Sequence, residues 1–134
     1  MKENKSESLK SFEELDCWKA CTEVRRFITT LLRKYPKDEK FELVDDMKRA
    51  ARSTTHNIAE GFGRFHYQEN IQFCRQSRGS LCELIDQLIT SEDEGFIEDI
   101  DYKKGRELIS KALALLNGYI AHLIRCKEKV KKED

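Results

Sequence analysis

Arginine is concentrated in the middle of the chain, where its chemistry suits an anionic partner. Between residues 46 and 78 there are six basic side chains against three acidic ones, a surplus of three positive charges. The planar guanidinium group donates paired hydrogen bonds, which fit phosphate oxygens better than the ammonium group of lysine does. Five arginines are therefore candidate nucleic-acid-binding residues: Arg49, Arg52, Arg64, Arg75 and Arg78.

Aromatic side chains lie beside these arginines, around a short glycine-containing turn at residues 61–66. Phe62, Phe65, His66 and Tyr67 could stack on unpaired bases, a contact that tolerates any base. The alternative is that the arginines lie on a solvated helix face and that the two phenylalanines close one end of the fold. The sequence leaves both interpretations open.

Two pairs of polar residues lie on consecutive predicted helices. Asn57 and Glu60 are one turn apart on the first of them, and Ser80 and Glu83 are one turn apart on the next. If these helices are antiparallel neighbours, Ser80 or Glu83 can reach Asn57. We interpret the four residues as a structural polar network that fixes helix register, because unpaired buried polar groups cost a few kcal/mol. A ligand-binding role, or simple capping and exposure, is the alternative.

The sequence offers few ligands for a metal. Glu83 and Asp86 form the E-x-x-D pattern with which all-α nucleotide pyrophosphatases hold magnesium. That site needs a second acidic cluster, and the corresponding pair on the helix before offers only Glu60, beside neutral Asn57. His56 and Glu60 are spaced to share one ion, yet two ligands do not make a site. We expect no metal, no cofactor and no enzymatic activity, with a magnesium-dependent pyrophosphatase as a remote alternative.

Charge and cysteine content indicate a cytoplasmic protein. Twenty-five basic and 25 acidic residues leave no net charge, so any attraction to nucleic acid must be local. No segment approaches the run of about 18 apolar residues that a membrane span needs, and the start lacks a signal-peptide core. The cysteines are odd in number and follow apolar helical patterns, which predicts reduced, buried thiols: Cys17, Cys21, Cys74, Cys82 and Cys126.

The apolar residues recur every three or four positions in four segments, which predicts four amphipathic helices. Short connections between helices of similar length predict an all-α, antiparallel up-and-down four-helix bundle. We expect residues 11–128 to form the bundle, 1–10 a disordered arm and 129–134 a frayed tail. The predicted helices run from Ser11 to Pro36, from Asp38 or Glu39 to Gly61, from Tyr67 to Gly95, and from about Tyr102 to Lys127.

Helix ends carry their own signals. Ser11 and Glu14 have the spacing of a capping box, in which each side chain accepts a hydrogen bond from a backbone N–H of the first turn. Pro36 disfavours a helical residue before it. Gly61 is predicted to end the second helix, because glycine tolerates the left-handed conformation found just past many helices.

Residues 57–61 (NIAEG), followed by Arg64, and residues 79–84 (GSLCEL) carry a resemblance to a known family. The chain resembles the four-helix bundle proteins encoded by intervening sequences within bacterial 23S ribosomal RNA genes. The similarity extends over about residues 11–126 and includes Trp18 and Pro36. It implies a homopentamer, and it implies relatives that are accessory proteins of diversity-generating retroelements, where a basic pentamer works with a reverse transcriptase and RNA. No catalytic residues come with it.

We therefore expect a non-enzymatic oligomeric scaffold that contacts RNA or a nucleic-acid enzyme through the five arginines. The alternative is a purely protein-binding or self-assembling module. In that case the arginines pair between subunits with the acidic stretch at residues 92–101, which carries six carboxylates.

Overall fold

A computed structural model of the chain describes residues 9–133, and every regular element within them is helical. This confirms the predicted all-α class with four main helices. No helix in this part of the chain combines the length and hydropathy that crossing a bilayer requires. The four α-helices are α1 (Asp16–Leu31), α2 (Leu43–Phe62), α3 (Tyr67–Asp93) and α4 (Asp99–Glu133), and short 3₁₀ helices lie at Phe12–Glu14, Leu32–Lys34 and Lys37–Glu39.

The four helices pack in a closed ring. Each helix contacts the next along the chain, and α1 also contacts α4. Between α2 and α3, Ser53 contacts Ser80 while Met47 contacts Ser91, so positions rise along one helix as they fall along the other. This is consistent with the predicted antiparallel arrangement. The same opposite order holds between α3 and α4, where the contacts are Gln68 with Lys127 and Arg78 with Asn117.

The predicted apolar stripes form one shared core. Every helix contributes large side chains that are completely or almost completely inaccessible to solvent, and each such side chain stabilises the fold by about 1.5–3 kcal/mol relative to leaving it exposed. The large apolar side chains that are most deeply buried are Val24, Ile28, Met47, Ile58, Ile71, Leu81, Leu84, Leu88, Ile109, Leu116 and Leu123.

The capping hydrogen bonds predicted at Ser11 and Glu14 form, but they cap a 3₁₀ turn rather than α1. The Ser11 hydroxyl accepts a hydrogen bond from the Glu13 N–H at 3.1 Å, and the Glu14 carboxylate accepts one from the Lys10 N–H at 3.3 Å. These bonds close a 3₁₀ turn, and α1 itself begins at Asp16. The predicted start at Ser11 was therefore wrong by one short turn, because an extended residue separates the turn from the helix.

Two other boundaries differ from the sequence prediction. After Pro36 the chain makes a single 3₁₀ turn, and α2 begins only at Leu43, because Glu42 is not helical. At the other end α4 extends from Asp99 to Glu133, whereas the predicted helix ran from about Tyr102 to Lys127. Residues 1–8 and 134 lie outside the described residues, so most of the predicted arm and the final tail residue stay predictions.

Gly61 does not end α2 in the predicted way. It lies inside the last helical turn, and among the described residues only Gly95, after α3, has a left-handed backbone, with φ of 78°. A Cβ atom on Gly61 would lie 2.7 Å from Asn70 Oδ1 and 2.9 Å from Phe73 Cβ. The residue is glycine because α2 and α3 approach each other closely there.

We predict opposite effects of the same substitution at two helical glycines. Gly61→Ala should destabilise the fold by about 1–3 kcal/mol, because the new methyl group overlaps α3. Gly79→Ala, on α3, meets nothing within 4 Å and should stabilise by about 0.5–1 kcal/mol through helix propensity. Urea denaturation of both variants measures the difference, and equal effects would contradict the close approach at Gly61.

Candidate nucleic-acid interface

Arg49 is an exposed side chain whose charge is offset within α2. Its Nη1 atom lies 3.0 Å from Asp45 Oδ2, and its Nη2 atom pairs with Asp46. Both carboxylates precede it by one turn, the spacing at which helical side chains meet. The arginine count from sequence therefore overstates the positive charge that α2 presents.

Arg64, in the turn after α2, is also paired. Its Nη2 atom lies 3.0 Å from Glu60 Oε2, and its guanidinium carbon lies 4.9 Å from the centre of the Phe73 ring. The ring face attracts the cation, and the carboxylate offsets its charge. These contacts join the turn to α3.

Arg75 and Arg78 lie on a different side of the molecule. The Nη1 atom of Arg78 donates a hydrogen bond to Asn117 Oδ1 on α4 at 3.0 Å. Arg75 is exposed and three residues earlier, so it lies on the same side of α3. Arg52 is exposed on α2, and it has no ion pair within the described residues. The structure therefore does not bring the five arginines to one face.

A further cation lies at the contact between α3 and α4 that Arg78 also spans. Lys127 donates to Gln68 Oε1 across this contact. Lys127 was missed from sequence, and the signal that could have found it is the absence of any carboxylate between residues 107 and 128. Arg125 is exposed two residues before Lys127, so it lies on the opposite side of α4.

Two of the four residues in the predicted polar network, Asn57 and Ser80, are linked through Ser53, which sequence reasoning missed. Asn57 Nδ2 donates to the carbonyl oxygen of Ser53 at 2.9 Å and to its hydroxyl at 2.7 Å, and the Ser80 hydroxyl lies 2.8 Å from the same Ser53 hydroxyl. Ser53 thus links Asn57 to Ser80 across α2 and α3. Glu60 and Glu83 are outside this link: Glu60 pairs with Arg64, and Glu83 accepts a long hydrogen bond of 3.5 Å from Gln87.

The acidic residues considered for magnesium do not gather. Glu83 and Asp86 are exposed on α3, while Glu60 is held by Arg64. Between residues 9 and 133 no group of three or more His, Cys, Asp or Glu side chains is arranged to hold a metal ion. His56 likewise has no additional ligands beside Glu60.

Three of the five cysteines are buried as predicted, whereas Cys82 is exposed and Cys126 is half-buried. The prediction for Cys82 was wrong because this residue follows the buried Leu81 but points away from the core. Burial raises the pKa of the Cys21 thiol to about 11, although hydrogen bonds from Ser77 and Thr54 lower it in part. Burial, and to a smaller extent nearby Cys21, raises the pKa of Cys74 to about 12.

The fold and these side chains define a small all-α protein in which none of the described charged residues is buried. Comparison with known families gives a match over most of the chain. The model of the 23S rRNA-intervening sequence protein family matches residues 13–118, and the chain belongs to that family. This confirms the resemblance on residues 57–61 and 79–84. A search of the curated proteins finds no match.

We predict that Ser53→Ala destabilises the protein by about 1 kcal/mol, because Asn57 and Ser80 each lose a partner. Ser110→Ala is the matched control: Ser110 is exposed on α4 and gains the same helix propensity without losing such a bond. A double-mutant cycle between Ser53 and Ser80, measured by urea denaturation, should give a coupling of about 0.5–1 kcal/mol. A coupling of zero would show that the bridge contributes nothing.

The buried thiols predict a loss of stability at alkaline pH. The unfolded chain releases thiol protons near the ordinary pKa of 9.0, whereas folded Cys21 and Cys74 keep theirs to a pKa of about 11 and about 12. The stabilisation is complete below pH ~9 and falls as pH rises above it, by about 1.4 kcal/mol per pH unit for each thiol. Denaturation under reducing conditions at pH 8, 9 and 10 measures the slope. Cys74→Ala should be less stable throughout but have a shallower slope, and an unchanged slope would refute this cause.

Proposed function

We propose that the protein is a non-enzymatic scaffold that acts by binding, and that it contacts RNA through arginines on its outer helix faces. The observation that carries the proposal is the partner of Arg78. Its guanidinium is oriented by the neutral amide of Asn117 rather than by a carboxylate, so its full charge faces outward together with that of Arg75. Arginines in this state suit phosphate oxygens.

The proposed scaffold is an antiparallel up-and-down four-helix bundle in the cytoplasm, assembled as a homopentamer. The opposite order of contacts between neighbouring helices supports the bundle. The resemblance to the family implies the pentamer and a partner of the reverse-transcriptase type. Five copies would repeat a weak cationic surface, and simultaneous contacts raise overall affinity without new chemistry.

The alternative function is protein binding or self-assembly without RNA, and one end of the molecule favours it. Phe41 and Ile100 are 81% and 71% exposed there. They lie near the acidic stretch at residues 92–101, in which Asp99 and Asp101 already pair with Lys103 and Lys34. Exposed apolar side chains with a polar rim are typical of protein interaction sites.

We predict that the protein shifts a structured RNA in a gel at about 50 mM salt and that the affinity falls steeply at about 200 mM. Arg64→Glu combined with Arg75→Glu should weaken binding roughly tenfold or more, because each substitution replaces a positive charge with a negative charge that repels phosphate. Lys19→Glu combined with Lys111→Glu makes the same charge change beside α1 and should have a much smaller effect.

Two results would overturn parts of this proposal. Absence of any RNA shift at low salt would leave only the protein-binding alternative. Light scattering that gives the mass of a single chain, 15.8 kDa, would remove the assembly that both functions share.

A further inference from the structure

The facing parts of α3 and α4 are free of carboxylates over a long stretch. No Asp or Glu occurs between residues 69 and 83 of α3 or between residues 107 and 128 of α4. Lys111, within the second stretch, turns towards α1, where it lies 3.9 Å from Glu23. Arg125 follows Lys111 by 14 residues, which returns it to nearly the same side of α4. The remaining arginines and lysines are Arg75, Arg78 and Lys127, and we call the outer surface that they border, along the contact between the two helices, the α3/α4 seam.

Two cations of the α3/α4 seam, Arg78 and Lys127, are positioned without being neutralised. Arg78 is held by the amide oxygen of Asn117 and Lys127 by the amide oxygen of Gln68, each across the contact between the two helices. A neutral acceptor fixes the direction of a cation and leaves its charge intact. On α2 and its turn, by contrast, Arg49 and Arg64 are paired with carboxylates.

Short side chains border this line of charge. Ala114, Asn117 and Ala121 follow one another at three and four residues on α4, and all three are exposed. A Cβ atom added to Gly79 on α3 or to Gly118 on α4 would meet nothing within 4 Å. Only short side chains therefore project between the cations, and a nucleic-acid backbone can approach the helices closely.

The length of the seam fits a short piece of nucleic acid. Asn117 and Lys127 are separated by about 15 Å along α4, at 1.5 Å per residue. Nucleotides in one strand of a duplex rise by about 3.4 Å each, so the seam covers roughly four of them. The seam presents cations and amides. Of the two aromatic rings in this part of α4, Tyr119 turns inward and accepts a hydrogen bond from Asn70, and exposed His122 stacks against the Tyr119 ring.

We infer that the α3/α4 seam is the surface that binds the RNA phosphate backbone, through Arg75, Arg78 and Lys127 and without base specificity. The inference rests on the proposed RNA-binding function and locates it, moving the contact away from Arg49 and Arg64. Contacts to phosphate carry no sequence information directly, so different RNA sequences should bind alike.

The first test compares matched pairs of substitutions in the full chain. Arg78→Gln with Lys127→Gln should weaken binding of a single-stranded RNA roughly tenfold and lower the slope of log affinity against log salt by about 1.4. Arg49→Gln with Arg64→Gln removes the same charge and should change affinity less than about threefold, because those arginines are already paired. Circular dichroism and urea denaturation identify any variant that fails to fold.

A second measurement needs no substitution in the seam. Cys82 is exposed one turn beyond Arg78, so bound RNA should slow its alkylation in a Cys126→Ser background, while Cys17, Cys21 and Cys74 are buried. Protection of Cys82, lost on adding salt, supports the inference. Unchanged alkylation at saturating RNA would overturn it.

The outcomes separate the inference from the function on which it rests. If the wild-type chain does not bind RNA, both fail. If it binds RNA and only the Arg49 and Arg64 pair weakens binding, the function stands and the seam assignment is wrong. If the seam pair instead abolishes self-association and leaves RNA affinity intact, the seam binds the acidic stretch of a second copy, and the inference is overturned.

Discussion

Buried Asn70 joins three of the four helices, and the rest of the structure depends on the contact that it makes with Gly61. Its side-chain oxygen lies 2.7 Å from the position that a Cβ atom on Gly61 would take and 3.5 Å from the Cys74 thiol, and its amide nitrogen donates to the Tyr119 hydroxyl at 3.1 Å. A buried amide restricts how neighbouring helices can be aligned, because sliding α4 along α3 would leave the Asn70 amide without its Tyr119 partner. The apolar core stabilises the fold, and Asn70 fixes how α2, α3 and α4 are aligned.

The periodic part of the fold could be predicted from sequence because burial repeats with the helical period. Positions such as Val24, Ile58 and Leu116 lie on the predicted stripes and are buried. Gly61 was misinterpreted because a glycine that ends a helix and a glycine at a close helix contact look alike in one sequence. Ser53 was missed for a related reason: a serine within a helix is usually a surface residue, and its role arises only once Ser80 lies opposite.

The charged residues divide in the same way. Their pairings within one helix could be predicted from sequence, and their pairings between helices could not. The pairing of Arg49 with Asp45 and of Arg64 with Glu60 follows from one-turn spacing, so the sequence already contained it. The amide partners of Arg78 and Lys127 come from other helices, and no spacing within one helix predicts them. The alignment of α3 with α4, which Asn70 helps to fix, therefore brings Arg78 and Lys127 to their neutral partners. In this way the core is linked to the proposed function.

The most direct test of this account is a map of backbone amide chemical shifts as single-stranded RNA is added to the ¹⁵N-labelled protein. The account predicts that the largest changes fall along the α3/α4 seam, at Gly79, Gly118 and Ala121, and that the signals of buried residues such as Asn70 stay in place. Changes centred on α2 near Arg49, or on the acidic stretch at residues 92–101, would contradict it.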